Sequence, residues 1–144
     1  MAYYIFTTFP GDPASGSSPR ERAIRLLNAG MWGLGPDQPH RDALTRGDLV
    51  LIYLAAPERE FIGRAQLASA ARDWTRAEAQ VYPGDSRSGV VLCQVEEWNP
   101  PVPVAAVLAR IDSAEDARAD FEAGVVRITP NEYQAACAVS AGSP

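Results

Sequence analysis

The sequence predicts a single α+β domain over residues 1–144, in which about five or six strands form a sheet curled into an open barrel with helices on its flank. The length of 144 residues and the hydrophobic share of 47% are those of one ordinary globular domain. Apolar, β-branched and aromatic runs recur at Tyr3–Phe9, Leu49–Ala55 and Phe61–Ala68, as expected of strands. The segments that predict helices are short and lie between or after these runs.

The first helix is expected at Arg20–Asn28, after a loop rich in Gly, Pro and Ser. Ser17 or Ser18 can cap this helix, and Pro19 suits its first position. Gly30 follows the last apolar residue of the pattern and is expected to end the helix.

Two apolar strands form the predicted centre of the sheet. The strand Leu49–Ala55 is apolar on both faces, which indicates an interior position. The strand Phe61–Ala68 follows after a short loop, so the two should form a hairpin. By contrast, Met31–Pro36 contains too many glycines for regular structure and is predicted to be an apolar turn.

The remaining elements are predicted from local patterns, in chain order: a short helix at Asp73–Ala79, a strand at Gly89–Trp98 that continues as a polyproline-like segment, a helical turn at Val104–Leu108, a solvated acidic helix at Asp112–Asp120, a strand at Val125–Ile128, a helix that starts with the cap Thr129, Pro130 and Glu132, and a flexible tail from residue 137.

Charge is unevenly distributed along the chain. The net charge is −5, yet residues 1–90 hold ten arginines and ten carboxylates, whereas residues 91–144 hold three arginines and eight carboxylates. There is no lysine, so every cationic side chain is a planar guanidinium suited to bidentate phosphate contacts. A polyanion is therefore expected to bind the first two thirds of the chain, because such binding depends on local positive charge.

Residues that support metal or nucleophilic chemistry are scarce. Cys93 and Cys137 have no CxxC companion and are expected to be buried, reduced thiols. A single histidine, His40, supplies too few nitrogen ligands for a zinc site. The adjacent Glu96 and Glu97 should lie on opposite faces of their strand and cannot share one proton. We therefore expect a non-catalytic protein without metal or cofactor.

No apolar run approaches the roughly 18 residues needed to cross a bilayer. The N-terminus lacks a basic region before an apolar one, so it does not have the pattern of a secretion signal. These two observations predict a cytoplasmic protein that does not enter a membrane.

The aromatic residues point to binding rather than catalysis. Trp98 ends a strand before two prolines and is expected in the core. Trp32 and Trp74 lie in glycine-broken or polar connections, and two tryptophans can sandwich a nucleobase, with Tyr82 or Tyr53 as a third wall. The residues leave alternatives open: Trp32 can instead plug the mouth of the barrel, and both tyrosines can be structural.

The order of these motifs resembles the EVE family within the PUA-like superfamily, which is related to the YTH and ASCH domains. The likeness covers residues 3–136. The segments that carry it are Gly47–Tyr53 (GDLVLIY) followed by Ile62–Ala65 (IGRA), and also Gly30–Gly33 (GMWG), Val95–Trp98 (VEEW) and Val126–Thr129 (VRIT).

The resemblance implies a pocket for one flipped base. Trp32 would stack on the base, the Gly33 amide would bond its edge, and Trp74 or, as a second choice, Tyr82 would supply another aromatic wall. Relatives often place a lysine or asparagine at the end of the first strand or in the next loop. The polar groups in that region here are Thr7, Thr8 and Asp12.

The resemblance thus predicts a non-catalytic reader of a modified nucleobase, with 5-methylcytosine-type marks in DNA favoured over RNA. A nuclease domain or subunit of a modification-dependent restriction system would be a fitting partner. Two alternatives stay open: an RNA-modification-related factor or enzyme of the PUA-like group, and a small-ligand sensor that uses the same pocket. The arginines expected to contact flanking phosphates are Arg20, Arg22, Arg25, Arg72, Arg76 and Arg87.

Overall fold

The computed structural model describes residues 1–8, 18–84, 86–110 and 124–142. The strands within these ranges are β1 (Tyr3–Thr8), β2 (Met31–Gly33), β3 (Leu49–Leu54), β4 (Glu60–Leu67), β5 (Arg72–Asp73), β6 (Ser88–Pro103) and β7 (Val125–Ile128). The helices are α1 (Pro19–Ala29), α2 (Arg76–Val81), α3 (Val104–Leu108) and α4 (Pro130–Ser140), and a 3₁₀ turn covers Arg41–Ala43.

The strands form one curled sheet in the order β2-β6-β4-β3-β1-β7, and β5 pairs with β6 beside this path. β1 and β3 are parallel, and the other pairs are antiparallel. β3 and β4 form the predicted hairpin, and β3 lies inside the sheet, as its apolar character on both faces indicates. The predicted α+β class with a curled sheet and flanking helices is confirmed.

A hydrophobic core lies on each face of the sheet, because side chains alternate along β1 and β3. α1 covers the first core and α4 the second. The first core includes Tyr4, Phe6, Leu27, Trp32, Val50, Ile52, Leu54 and Val90. The second core includes Ile5, Leu51, Tyr53, Phe61, Trp98, Val102 and Tyr133, so the prediction that Trp98 is a core residue is confirmed.

The helix boundaries follow the predicted caps. The Ser18 hydroxyl accepts a hydrogen bond from the Glu21 amide at 3.1 Å, and Gly30 ends α1 in the left-handed conformation. At α4, Thr129 and Glu132 form a complete capping box. Local polar chemistry therefore fixes where both long helices begin.

Three predicted elements need correction. Met31–Gly33 is a strand rather than a turn, because it pairs with Gly89–Val91 of β6. The short helix begins at Arg76 rather than Asp73, because Arg72–Asp73 pairs with β6 first and Thr75 caps the helix. The segment after Trp98 continues β6 to Pro103 by pairing with β4 instead of standing apart as polyproline.

The predicted acidic helix at Asp112–Asp120 lies outside the described residues, as does most of the first loop. α4 continues through Ser140, which places residues 137–140 in a helix rather than in a tail. Among the helices that the structure describes, none combines the length and the apolarity that a membrane crossing requires.

Candidate functional site

Trp32 lies in β2, opposite Val90 of β6, and its indole faces the first core. The side chain is only 5% exposed. Its ring centroid is 5.9 Å from that of Phe6, with 31° between the two planes. Phe6 is 0% exposed, so this tilted aromatic pair is buried in the first core.

Thr8 ends β1 on the same face as Phe6, because the two residues are two positions apart in a strand. Its hydroxyl oxygen is buried, and no described residue offers it a hydrogen-bond partner. Its backbone carbonyl accepts the Ala55 N–H at 3.0 Å. We call Phe6, Thr8 and Trp32 the Trp32 corner.

Thr7 does not join the Trp32 corner. Its side chain alternates to the other face of β1, where it is buried, and its N–H donates to the Gly124 carbonyl at 2.8 Å. Asp12, the third polar residue expected to read a base edge, lies outside the described residues. Of the two residues in this set that the structure describes, only Thr8 shares the face of β1 that carries Phe6.

Trp74 and Tyr82 form a second aromatic pair, with ring centroids 5.0 Å apart. The Trp74 indole N–H donates to the Ser86 carbonyl at 3.0 Å, which fixes the ring. This pair packs where Gly33 and Gly89 lack side chains: a Cβ on Gly33 would meet the Tyr82 hydroxyl, and one on Gly89 would meet the Trp74 ring at 2.7 Å.

The two tryptophans occupy opposite faces of the β2–β6 ladder. Trp32 and Val90 face the first core, whereas Gly33 and Gly89, one position along, face the pair formed by Trp74 and Tyr82. The structure therefore brings Gly33, Trp74 and Tyr82 together but does not place Trp32 and Trp74 on either side of one space.

Tyr53 belongs to the second core, where it is 2% exposed and its ring centroid lies 4.9 Å from that of Phe61. Side chains of β3 alternate, so Tyr53 faces away from the neighbouring Ile52 and Leu54, which line the first core. It therefore borders neither aromatic pair, which agrees with the structural alternative.

The predicted phosphate-binding arginines fall into three groups. Arg72 forms two hydrogen bonds with Glu78, at 2.6 and 2.9 Å, and this contact lowers the pKa of Glu78 to about 2, with help from the Thr75 amide. Arg20 pairs with Glu60. Arg76 and Arg87 are exposed and form no ion pair with a described residue.

Arg76 and Arg87 flank the Trp74–Tyr82 pair. Arg76 is the first residue of α2, two positions after Trp74. The backbone carbonyl of Arg87 accepts the backbone N–H of Trp74 at 2.9 Å. The other two predicted residues, Arg22 and Arg25, lie on α1, and each has an interaction within the structure.

A cleft of about 270 Å³ between β6 and α4 was not predicted. Arg64 crosses it, donating to Glu96 at 3.0 and 3.2 Å and to the Cys137 sulfur at 3.3 Å. The hydrogen bond from Arg64, and after it the bond from the Trp98 indole N–H, lowers the pKa of Glu96. Burial, followed by the neighbouring Cys137, raises the pKa of Tyr133 to about 12. The sequence signal was an arginine within a largely apolar strand.

One prediction about the cysteines changes. Cys93 and Cys137 are free thiols as expected, but both are half-buried rather than buried. Glu96 and Glu97 both border the cleft, and they pair in register with the consecutive residues Arg64 and Gly63 of β4, so their side chains lie on opposite faces of the strand, as predicted. Within the described residues, no three His, Cys, Asp or Glu side chains are grouped to hold a metal ion.

Comparison with known proteins shows the class of fold. No family model matches the chain, and no curated protein matches it in sequence. Solved structures do match over nearly the whole length. A protein of Rhodopseudomonas palustris solved by NMR is 21% identical, with 98% of this chain and 94% of that chain covered and a TM-score of 0.64.

Two further solved structures that match are an ASCH protein and a protein bound to DNA. An ASCH protein of Zymomonas mobilis is 13% identical over 96% of this chain and 95% of its own, with a TM-score of 0.57. Human THYN1, solved in complex with DNA containing 5-methylcytosine, is 10% identical, covers 100% of both chains and has a TM-score of 0.64. These identities show the fold alone. The chain has the PUA-like fold, as the motif order predicts.

Proposed function

We propose that this protein is an EVE-type, non-catalytic nucleic-acid reader that accepts one flipped, modified base at the Trp32 corner. The observation that carries the proposal is the buried Thr8 hydroxyl without a described partner, on the same face of β1 as Phe6, whose ring pairs with Trp32. An unpaired buried hydroxyl costs free energy, so a site that keeps one gains when a ligand supplies the missing bond.

The chemistry of the corner suits a planar heterocycle. The indole of Trp32 offers a stacking surface, and base–aromatic stacking contributes about 1–3 kcal/mol per base. The Thr8 hydroxyl can donate to a ring nitrogen or carbonyl, or accept from an exocyclic amine. A methyl group buried against the rings adds about 0.8 kcal/mol, so we expect modest discrimination between modified and unmodified bases.

Because Trp32 is only 5% exposed, a base reaches it only when the groups that cover it move. Binding is therefore expected to be coupled to a local opening, in addition to the few kcal/mol that flipping a base out of the stack costs. This coupling favours bases whose own stacking or pairing is already weakened.

The Trp74–Tyr82 pair supplies a second surface for the same strand. Trp74 is half-buried and fixed through its indole N–H, so its exposed part can support a neighbouring base without reordering. Arg76 and Arg87 are placed to contact phosphates beside it. Arg72 contributes less charge, because Glu78 already neutralises it.

The THYN1 structure supports DNA with 5-methylcytosine as the first ligand to test, since a full-length match in fold was solved with that DNA. The scarcity of catalytic residues supports recognition without chemistry. A nuclease domain or subunit would then be the partner that acts on the recognised strand, within a modification-dependent restriction system.

The test is a binding titration against duplexes that differ at one cytosine, which is unmodified, 5-methylated or 5-hydroxymethylated, with RNA and N6-methyladenine duplexes alongside. Trp32→Phe should weaken binding to the preferred duplex by about tenfold, because a smaller ring stacks less well. Trp98→Phe is the matched control: it makes the same change in the second core and should leave affinity intact.

Equal, weak binding to every duplex would contradict the modified-base proposal. Equal losses in Trp32→Phe and Trp98→Phe would show that Trp32 acts through stability alone. Thermal unfolding of both variants separates these outcomes, since each removes buried apolar area of similar size.

A further inference from the structure

A second cleft lies at the other end of β1, away from the Trp32 corner. It has a volume of about 500 Å³, and its polar lining is formed by Tyr4, Thr45, Arg46, Asp48 and Arg127. Tyr4 and Thr8 are four positions apart on an extended strand, so about 13 Å of strand separates the two places.

The floor of this cleft is built and held by hydrogen bonds. Asp48 is 5% exposed, and its carboxylate accepts the Ala2 N–H at 2.9 Å and the Thr45 N–H at 3.0 Å. The Asp48 N–H in turn donates to the Thr45 carbonyl at 3.1 Å, which closes the turn that carries Arg46. The carboxylate is therefore occupied by structural bonds and fixes the position of the loop.

Arg127 and Arg46 approach the cleft from different elements. Arg127 lies in β7 directly opposite Tyr4 of β1, and Arg46 lies in the turn before β3. Both are exposed, and neither forms an ion pair with a residue that the structure describes. In a chain with a net charge of −5, two such guanidinium groups beside one cleft need an explanation.

Tyr4 adds a neutral donor. Burial, and then the Asp48 carboxylate, raise the pKa of its phenol, against the opposing effect of Arg127. The hydroxyl therefore stays protonated at neutral pH. The cleft thus combines two cationic forks with one hydroxyl, and its carboxylate is already bonded to backbone amides.

We propose that this cleft binds a phosphate group, with Arg46 and Arg127 as the two charged contacts and the Tyr4 hydroxyl as a third donor. Guanidinium groups match phosphate oxygens bidentately. The volume admits a phosphate together with an attached sugar. The phosphate can belong to a nucleic-acid backbone or to a small phosphorylated molecule, and the proposal stands independently of the Trp32 corner.

The experiment is a titration of the ¹⁵N-labelled protein with inorganic phosphate and with a nucleoside 5′-monophosphate, at ionic strength held constant with sodium chloride. We expect saturable amide shifts at Tyr4, Thr45–Asp48 and Arg127. In the double variant Arg46→Gln/Arg127→Gln, apparent affinity should fall by about tenfold or more. Arg110→Gln is the matched control, since it removes an exposed arginine that lies outside this cleft and outside the surfaces proposed to bind DNA, and it should leave these shifts unchanged.

A parallel arm uses a short oligonucleotide without a terminal phosphate. Shifts in the cleft with the oligonucleotide, lost in the double variant, identify a backbone phosphate; shifts with the monophosphate alone identify a small phosphorylated ligand. Shifts with none of these probes, or shifts that the double variant retains in full, would overturn the proposal. Both arginines are exposed, so unchanged thermal unfolding of the variant confirms that the fold is intact.

Discussion

At the scale of single residues, the Thr8 hydroxyl is expected to lower the stability of the protein and to contribute to base binding. A buried hydroxyl without a partner costs about 1–3 kcal/mol relative to an apolar group of the same shape. Thr8→Val is close to isosteric and removes only that group. We therefore expect the free energy of unfolding of the variant to be about 1 kcal/mol larger than that of the parent protein. Its affinity for the preferred modified base should fall. Chemical denaturation and the duplex titration measure the two effects.

Thr129→Val is the control variant for Thr8→Val. The Thr129 hydroxyl accepts the Glu132 N–H at 3.1 Å and caps α4, so its loss should destabilise the protein by about 1 kcal/mol without changing base affinity. If both variants lost stability equally, the Thr8 hydroxyl would have a bond within the protein, and its assignment to ligand binding would be wrong.

Single residues also show why the local sequence does not reveal which arginines at the candidate site can contact a phosphate. Arg72 and Arg76 are four positions apart and look equivalent in the sequence. In the structure Arg72 is held by Glu78, while Arg76 has no ion pair among the described residues. Only the folded geometry of β5 and α2 distinguishes a structural arginine from one that can contact a phosphate.

At the scale of elements, β2 depends on two glycines that admit the Trp74–Tyr82 pair. A Cβ on Gly89 would overlap the backbone carbonyl of Trp32 and approach the Trp74 ring to 2.7 Å. The three atoms nearest a Cβ on Gly33 are the Tyr82 hydroxyl and the Cβ and hydroxyl of Ser86. We expect Gly89→Ala to destabilise by about 1–3 kcal/mol and Gly33→Ala by less, because the Tyr82 hydroxyl nearest Gly33 ends a side chain that can move, whereas a ladder carbonyl cannot.

Denaturant unfolding measures this order, and hydrogen exchange shows whether the amides of β2 lose protection first in Gly89→Ala. If Gly33→Ala proved the more harmful change, the aromatic pair rather than the β2–β6 ladder would be the rigid part of this edge.

Elements with a strong local code were predictable. Both long helices carry their caps in the sequence, at Ser18 and Thr129, and the β3–β4 hairpin is marked by two apolar runs around a short loop. β2 was not predictable, because a three-residue strand among glycines obtains its hydrogen bonds from β6, far along the chain. The side to which Trp32 points depends on that same pairing.

The candidate site was predictable in composition but not in arrangement. Trp32, Trp74 and Thr8 were expected around one base, yet the register of β2 on β6 assigns the two tryptophans to opposite faces. The cleft between Arg46 and Arg127 was not expected at all. It exists because β1, β3 and β7 meet there, and only the sheet order brings those residues together.

At the scale of the whole molecule, an acidic chain binds a polyanion only through local positive charge. Arg76 and Arg87 stand beside the Trp74–Tyr82 pair, in the part of the chain where arginines and carboxylates balance. We expect the net negative charge of the chain to limit non-specific binding, so that recognition depends more on the base than on the backbone.

This distribution predicts the salt dependence of DNA binding. If Arg76 and Arg87 each contact one phosphate, log K should fall with log salt concentration at a slope of about −2, far shallower than in strongly basic DNA-binding proteins. Arg76→Gln and Arg87→Gln should each reduce that slope by about 0.9, whereas Arg72→Gln should change it less, because Glu78 already offsets its charge. Titrations at four salt concentrations with the three variants test this. A slope near zero that no variant alters would instead indicate a neutral small ligand, and the aromatic surfaces would then serve a sensor rather than a nucleic-acid reader.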